Sequence, residues 1–81
     1  MKGTRKHFND DFTLKPGEYG KDPKNGVWYG CTPNGLLGNF KHHEVVEHED
    51  GTISVSPSIL VKLSDIKQWH GYLKRGEWKE C

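Results

Sequence analysis

Apolar positions in this chain fall into short alternating runs, not helical stripes. Period-two alternation over four to eight residues is the mark of a half-buried strand. The clearest case is His43-Glu44-Val45-Val46-Glu47-His48-Glu49, then Asp50-Gly51, then Thr52-Ile53-Ser54-Val55-Ser56. Asp-Gly between two extended runs predicts a hairpin closed by a two-residue type I′ turn. That register sets Val46 against Val55 and His48 against Ile53. Alternation then gives one face to Val46, His48, Ile53 and Val55, the expected core side. Val45, Glu47, Glu49, Thr52, Ser54 and Ser56 fall on the wet side.

Pro57 interrupts the run. Proline has no N–H to give a ladder, so it marks an edge, a bulge or a corner. The strand resumes over residues 58–63, with Ile59, Val61 and Leu63 on one face. Residues 64–68 predict one helical turn with Ser64 as its cap. The last segments, 69–73 and 77–81, read as a second hairpin around Lys74-Arg75-Gly76, a three-residue loop with a glycine bulge. In that register Tyr72 faces Trp78, Trp69 faces Cys81 and His70 faces Glu80. One face then gathers an aromatic pair and a histidine–carboxylate pair.

Upstream, residues 26–32 have strand-like composition, Thr32-Pro33-Asn34-Gly35 is a turn signal, and residues 36–40 supply a short second strand. Residues 1–25 are polar. Phe8, Phe12, Leu14 and Tyr19 are their sizeable apolar side chains after Met1, and the segment reads as an irregular arm pinned by its aromatics.

Composition sharpens this picture. The 81 residues include no alanine, ten glycines and nine aromatics by count of Phe, Trp and Tyr. Alanine is the best helix former, so its absence argues against long helices. The expectation is an all-β, small single domain of five to seven short strands in antiparallel hairpins: an arm over 1–25 and a compact β domain over 26–81. A core this small rarely contributes more than ~3–5 kcal/mol. An oligomer, a metal or a bound ligand would add to it.

Twelve Lys and Arg face eleven Asp and Glu, a net charge of +1, with the signs well mixed. No basic stripe points to nucleic acid. No segment has the length and apolarity of a membrane span, and residues 1–10 lack the apolar centre of a signal peptide. The expected compartment is the cytoplasm. Cys31 and Cys81 are too few for a disulfide framework and are expected as free thiols.

Three groups of residues carry candidate chemistry. Ser56, Ser58 and His70 pair a nucleophile type with a base, and Glu80 across from His70 would orient it. The proline-broken strand would leave backbone N–H groups for an oxyanion. There is no Gly-x-Ser-x-Gly elbow. A plainer reading has serines capping a sheet corner and His70 as a half-buried strand residue. Cys31, His42, His43 and His48 are zinc-ligand types. Yet His43 and His48, five apart, point to opposite faces, and His42 with His48 needs partners from distant segments. No metal set is assigned, and zinc remains open. Trp28, Tyr29, Trp69, Tyr72 and Trp78 are either a binding surface, where such residues dominate, or the core of a protein short of aliphatics. Trp28 and Tyr29, as neighbours on one strand, do not both face inward.

The order Cys31-Thr32-Pro33-Asn34-Gly35, then residues 49–60 with Ser56-Pro57-Ser58-Ile59, then Trp69-His70-Gly71-Tyr72-Leu73 and Gly76-Glu77-Trp78 resembles a family of small phage and prophage proteins of unknown function. The resemblance covers about residues 26–81. Longer relatives are often mislabelled as an ammonia monooxygenase. They tend to carry a Cys-x-x-Cys pair and a Cys-His near the final hairpin, which suggests zinc. Here Thr, Pro and Asn follow Cys31 and Trp69 precedes His70, so a four-ligand site is not carried over. Some relatives accompany bacterial ubiquitin-like conjugation systems, where a peptidase role is suspected. For this chain that would fall on Ser56, Ser58 and His70. The leading expectation is a phage-type accessory binding module engaging a host protein or small ligand, with homo-oligomerisation open. The alternative is a minimal Ser/His hydrolase, and the third is a degenerate zinc domain.

Overall fold

In the computed structural model, which describes residues 1–7 and 13–81, strands form two four-stranded sheets and no helix is present among the described residues. Phe8 and Phe12 lie outside the described residues. The first sheet runs in order β1 (Thr4–Arg5), β2 (Glu18–Lys21), β3 (Trp28–Cys31), β4 (Leu37–Asn39). The second is a meander of β5 (Glu44–Glu47), β6 (Ile53–Lys62), β7 (Gln68–Lys74) and β8 (Glu77–Glu80). Every pair of neighbours is antiparallel except β1 with β2. The chain is a small all-β domain, as its composition implies.

The described residues of 1–25 are built in further than an irregular arm. They supply β1 and β2, and Tyr19 is buried in the core. The first residues also run along β8. The Trp78 N–H donates to the Met1 carbonyl at 2.8 Å, Lys2 bridges Glu77, and the Gly3 N–H donates to the Gly76 carbonyl at 2.7 Å. Residues 1–5 thus pair first with the second sheet and then with the first. Arg5 fastens the same seam. Its Nη1 lies 2.6 Å from Glu47 Oε2 and 3.1 Å from the Gly51 carbonyl, and its guanidinium stands 5.0 Å from the centre of the Trp28 ring. The guanidinium hydrogen bond and charge hold the Glu47 carboxyl below its ordinary value.

Both sheets face one core. Tyr19 and Trp28 come from the first, and Ile53, Ile59, Leu73 and Trp78 from the second. Trp69 meets Trp78 edge to face at 5.4 Å. Trp78 Nε1 donates to the Gly17 carbonyl at 2.9 Å, which satisfies a donor that would be costly to bury alone. Gly30 allows this ring to approach: a Cβ there would lie 2.6 Å from Phe40 Cζ and 3.0 Å from Trp78 Cη2.

Two hairpin registers differ from expectation by one residue each. In the first, Val45 pairs with Val55 and Val46 with Ser54. The loop is three residues: His48 N–H donates to the Thr52 carbonyl, Gly51 N–H to that of His48, and Gly51 has φ +88°. In the second, Leu73 pairs with Trp78 and Tyr72 with Lys79. Here the loop is the two-residue type, with Arg75 at φ 45° and Gly76 at φ 74°. Because the side-chain period is two, a one-residue slip turns a strand over. Val45 therefore packs against the core while Val46 is exposed, and the expected pairs Tyr72–Trp78 and His70–Glu80 do not form.

At Pro57 the β6–β7 ladder passes from Val55↔Leu73 to Ile59↔Gly71, so residues 56–58 bulge opposite Tyr72 alone. Ile59 is buried and Val61 packs at the core margin, but Leu63 is exposed. Residues 64–68 are not a helical turn. Residues 64–67 belong to the hairpin loop and Gln68 opens β7; in the loop Ser64 Oγ accepts the Lys67 N–H at 2.9 Å and Asp65 pairs with Lys62 at 3.0 Å.

Candidate functional site

Burial alternates along the whole of β7. Trp69, Gly71 and Leu73 point inward, whereas Gln68, His70, Tyr72 and Lys74 are exposed. The outer face of the second sheet is therefore open, and it displays apolar groups. Leu60 is 58% exposed and stands across the ladder from His70; Tyr72, 45% exposed, follows His70 on the same face. Lys79 lies across from Tyr72, and Lys74 follows Tyr72 on β7. At the turn end, Ser54, Lys74, Arg75, Glu77 and Lys79 line a shallow cavity of about 300 Å³.

Ser58 is held at both ends within this face. Its Oγ is 3.2 Å from His70 Nε2, and its carbonyl is 3.1 Å from His43 Nε2. A carbonyl only accepts, so in that bond His43 Nε2 carries the proton. His43 Nδ1 is buried without a hydrogen-bond partner among the described residues, and the ring meets Phe40 edge-on at 6.1 Å. The bulge thus brings Ser58 and His70 together, as the sequence pattern suggests for a nucleophile and base. Glu80 is not their third member, because it pairs with Gly71. The His70 carbonyl accepts the Cys81 N–H at 2.9 Å, and His70 itself is exposed, not half-buried. Ser56 is exposed and pairs with Glu44, away from His70 in the ladder.

The five aromatics divide sharply. Trp28, Trp69 and Trp78 are core residues, Tyr29 is half-buried, and Tyr72 faces outward. The alternation rule applied to Trp28 and Tyr29 gives the observed result. Sequence reasoning missed Leu60, Lys74, Arg75 and Lys79 as members of this face. Alternation finds Lys74 on β7 and Leu60 on β6, whereas Lys79 follows only from the two-residue turn at Arg75-Gly76, which the pattern does not announce.

The zinc-ligand types do not converge. His42 is exposed, His48 Nε2 is 2.7 Å from Ser54 Oγ, and Cys31 is buried, its thiol pushed up by burial and by the Glu18 charge. Among the described residues, no group of three or more His, Cys, Asp or Glu side chains is placed to hold a metal ion. Among the same residues, no helix is long and apolar enough to cross a membrane.

Compared with known proteins, the chain matches no family model, no curated protein and no solved structure.

Proposed function

We propose that this chain is a small binding module that takes a protein partner on the outer face of the β5–β8 sheet. The observation that carries the reading is the exposure of Leu60 and Tyr72 side by side around His70, on strands whose opposite face is locked into the core. Exposed apolar groups rimmed by polar ones are what an interaction site looks like, and Tyr is among the residues that anchor interfaces. An open face suits a protein surface better than a small molecule, which favours an enclosed pocket. The resemblance of the Ser56-Pro57-Ser58-Ile59 and His70-Gly71-Tyr72-Leu73 segments to phage proteins supports a phage accessory role. The partner would then be a protein of the bacterial host, met in its cytoplasm. The test is quantitative capture by wild type, Leu60→Ser and Tyr72→Ser. Loss of the same partner in both variants, with folding intact, supports the reading; capture unchanged in both refutes it.

The Ser58–His70 contact favours a second reading, a minimal hydrolase. A serine beside a histidine is the start of a nucleophilic site, but among the described residues no carboxylate is hydrogen-bonded to this histidine to fix its tautomer. A fluorophosphonate probe separates the two readings. Labelling that disappears in Ser58→Ala supports a hydrolase, and an unlabelled wild-type protein opposes it.

A further inference from the structure

Resting on the binding-module reading, we infer that the segment docking on this face is an acidic peptide stretch. A side-chain carboxylate enters the cavity between Lys74, Arg75 and Lys79 while a neighbouring apolar residue lies against Tyr72 and Leu60.

Charge is the first ground. The chain as a whole is +1, yet this one cavity gathers three cations, Lys74, Arg75 and Lys79, against the single carboxylate of Glu77. Lys79 and Glu77 are 3.9 Å apart and both well exposed. Such a pair contributes little and gives way readily to a better acceptor. Lys74 and Lys79 can turn toward a ligand carboxylate, while Arg75 also borders the cavity of Glu47, Glu49 and Asp50; charge-assisted hydrogen bonds to a carboxylate are the strong ones.

Position is the second ground. Lys79 stands directly across from Tyr72, and Lys74 is the next outward residue beyond it on β7. The apolar and cationic parts of the face are therefore contiguous. A peptide lying along β7 with acidic and apolar residues alternating meets Leu60, Tyr72 and the cavity in turn, because side chains two apart share a face. Residues along a strand advance ~3.3 Å each, so two such steps span neighbouring sites of the face. Nucleic acid fits less well. It needs cations tracking several phosphates and aromatic platforms for stacked bases. Among the described residues of this face, Tyr72 is the one exposed aromatic, and Glu77 sits among the cations.

The experiment is a titration of ¹⁵N-labelled full chain with a hexapeptide of alternating glutamate and leucine, its glutamine–leucine counterpart, and a single-stranded oligothymidine. The expected result is amide shifts at Leu60, Tyr72, Lys74 and Lys79 with the glutamate peptide, at least tenfold tighter binding than the glutamine peptide, and weakening by added salt. The paired variant Lys74→Gln/Lys79→Gln should lose most of that preference while still binding the glutamine peptide. Equal binding of the two peptides would overturn the acidic assignment and leave the binding face standing. Absence of shifts with both peptides would overturn the assignment too, while the capture experiment with Leu60→Ser and Tyr72→Ser judges the face independently. Tighter binding of the oligothymidine would assign the cations to nucleic acid instead. Shifts at these residues on concentrating the protein alone would assign the face to a second copy of the chain.

Discussion

Leu73 stands directly opposite Trp78 across the β7–β8 ladder, and both side chains are buried. That pairing decides what the molecule shows. With Leu73 and Trp78 inside, Tyr72 and Lys79 must be outside, side by side. The interior partner is fixed by more than packing, because Trp78 Nε1 is hydrogen-bonded to the Gly17 carbonyl.

Trp78→Phe keeps an aromatic ring but leaves the Gly17 carbonyl without that donor. That carbonyl still accepts the Thr4 N–H at 3.1 Å, so what is lost is one net hydrogen bond and part of the buried indole, together about 1–3 kcal/mol. Urea unfolding should show a loss in that range with an unchanged slope. A loss below about 0.5 kcal/mol, the scale of an ordinary surface change, would mean that the bond is not a staple of the seam.

Gly71 is required by the closeness of β8 and by the Trp69 ring that lies over it. A Cβ at this position would run into the Lys79 carbonyl oxygen and would lie 2.5 Å from Trp69 Cη2. Overpacking typically costs about 1–3 kcal/mol, and here a backbone atom must yield. Gly71→Ala should therefore be at least that destabilising by urea unfolding. Wild-type stability in this variant would show that Gly71 is not under the Trp69 ring.

The Arg5–Glu47 pair makes stability depend on pH in a defined direction. Arg5 holds the Glu47 carboxyl below its ordinary value. A depressed folded-state value means that the contribution is present above the unfolded-state pKa of about 4.3 and is lost as pH falls through the folded value. The stability gap between wild type and Glu47→Gln should be open at neutral pH and close progressively in acid. Urea midpoints measured across that range check this; a gap that stays constant into strong acid would contradict it.

The two thiols should differ in reactivity. Cys31 is buried and its thiol is pushed up, chiefly by burial, whereas Cys81 is exposed. Thiolate is the reactive form, so burial protects twice. Under native conditions a thiol reagent should modify Cys81 promptly and Cys31 only on unfolding. Equal rates for both would contradict the placement of Cys31.

The fold class was legible because its signals are local. A chain without alanine, punctuated by glycine turns, forms strands, and the alternation at Trp28-Tyr29 and the break at Pro57 read correctly. The registers were less legible because turn type hung on side-chain details. Asp50 Oδ1 accepts from the Thr52 N–H at 3.0 Å and hydroxyl at 2.6 Å, and the φ of Gly51 alone is positive in that loop. These bonds favour the longer loop over the two-residue turn that Asp-Gly suggests. Conversely, Arg75 takes positive φ, which a non-glycine residue seldom does, so no pattern announces it. Each slip is one residue, yet it exchanges inside for outside. That is why Lys79 was not seen beside Tyr72; Leu60 was missed because its place opposite His70 depends on the β6–β7 pairing, for which the sequence offers no turn signal. The placement of the first residues was obscure for another reason: Lys2 and Gly3 meet Glu77 and Gly76 far along the chain, and Thr4–Arg5 pair in parallel with Glu18 and Tyr19.

The most direct test of the binding face is site-specific photo-crosslinking in cells that naturally produce the protein. Benzoylphenylalanine would replace Tyr72 in one variant and Lys21, an exposed residue of the first sheet, in another. If the outer face of the second sheet is the docking surface, position 72 gives a defined crosslinked protein and position 21 does not. Crosslinks of the same partner from both positions, or from position 21 alone, would contradict it.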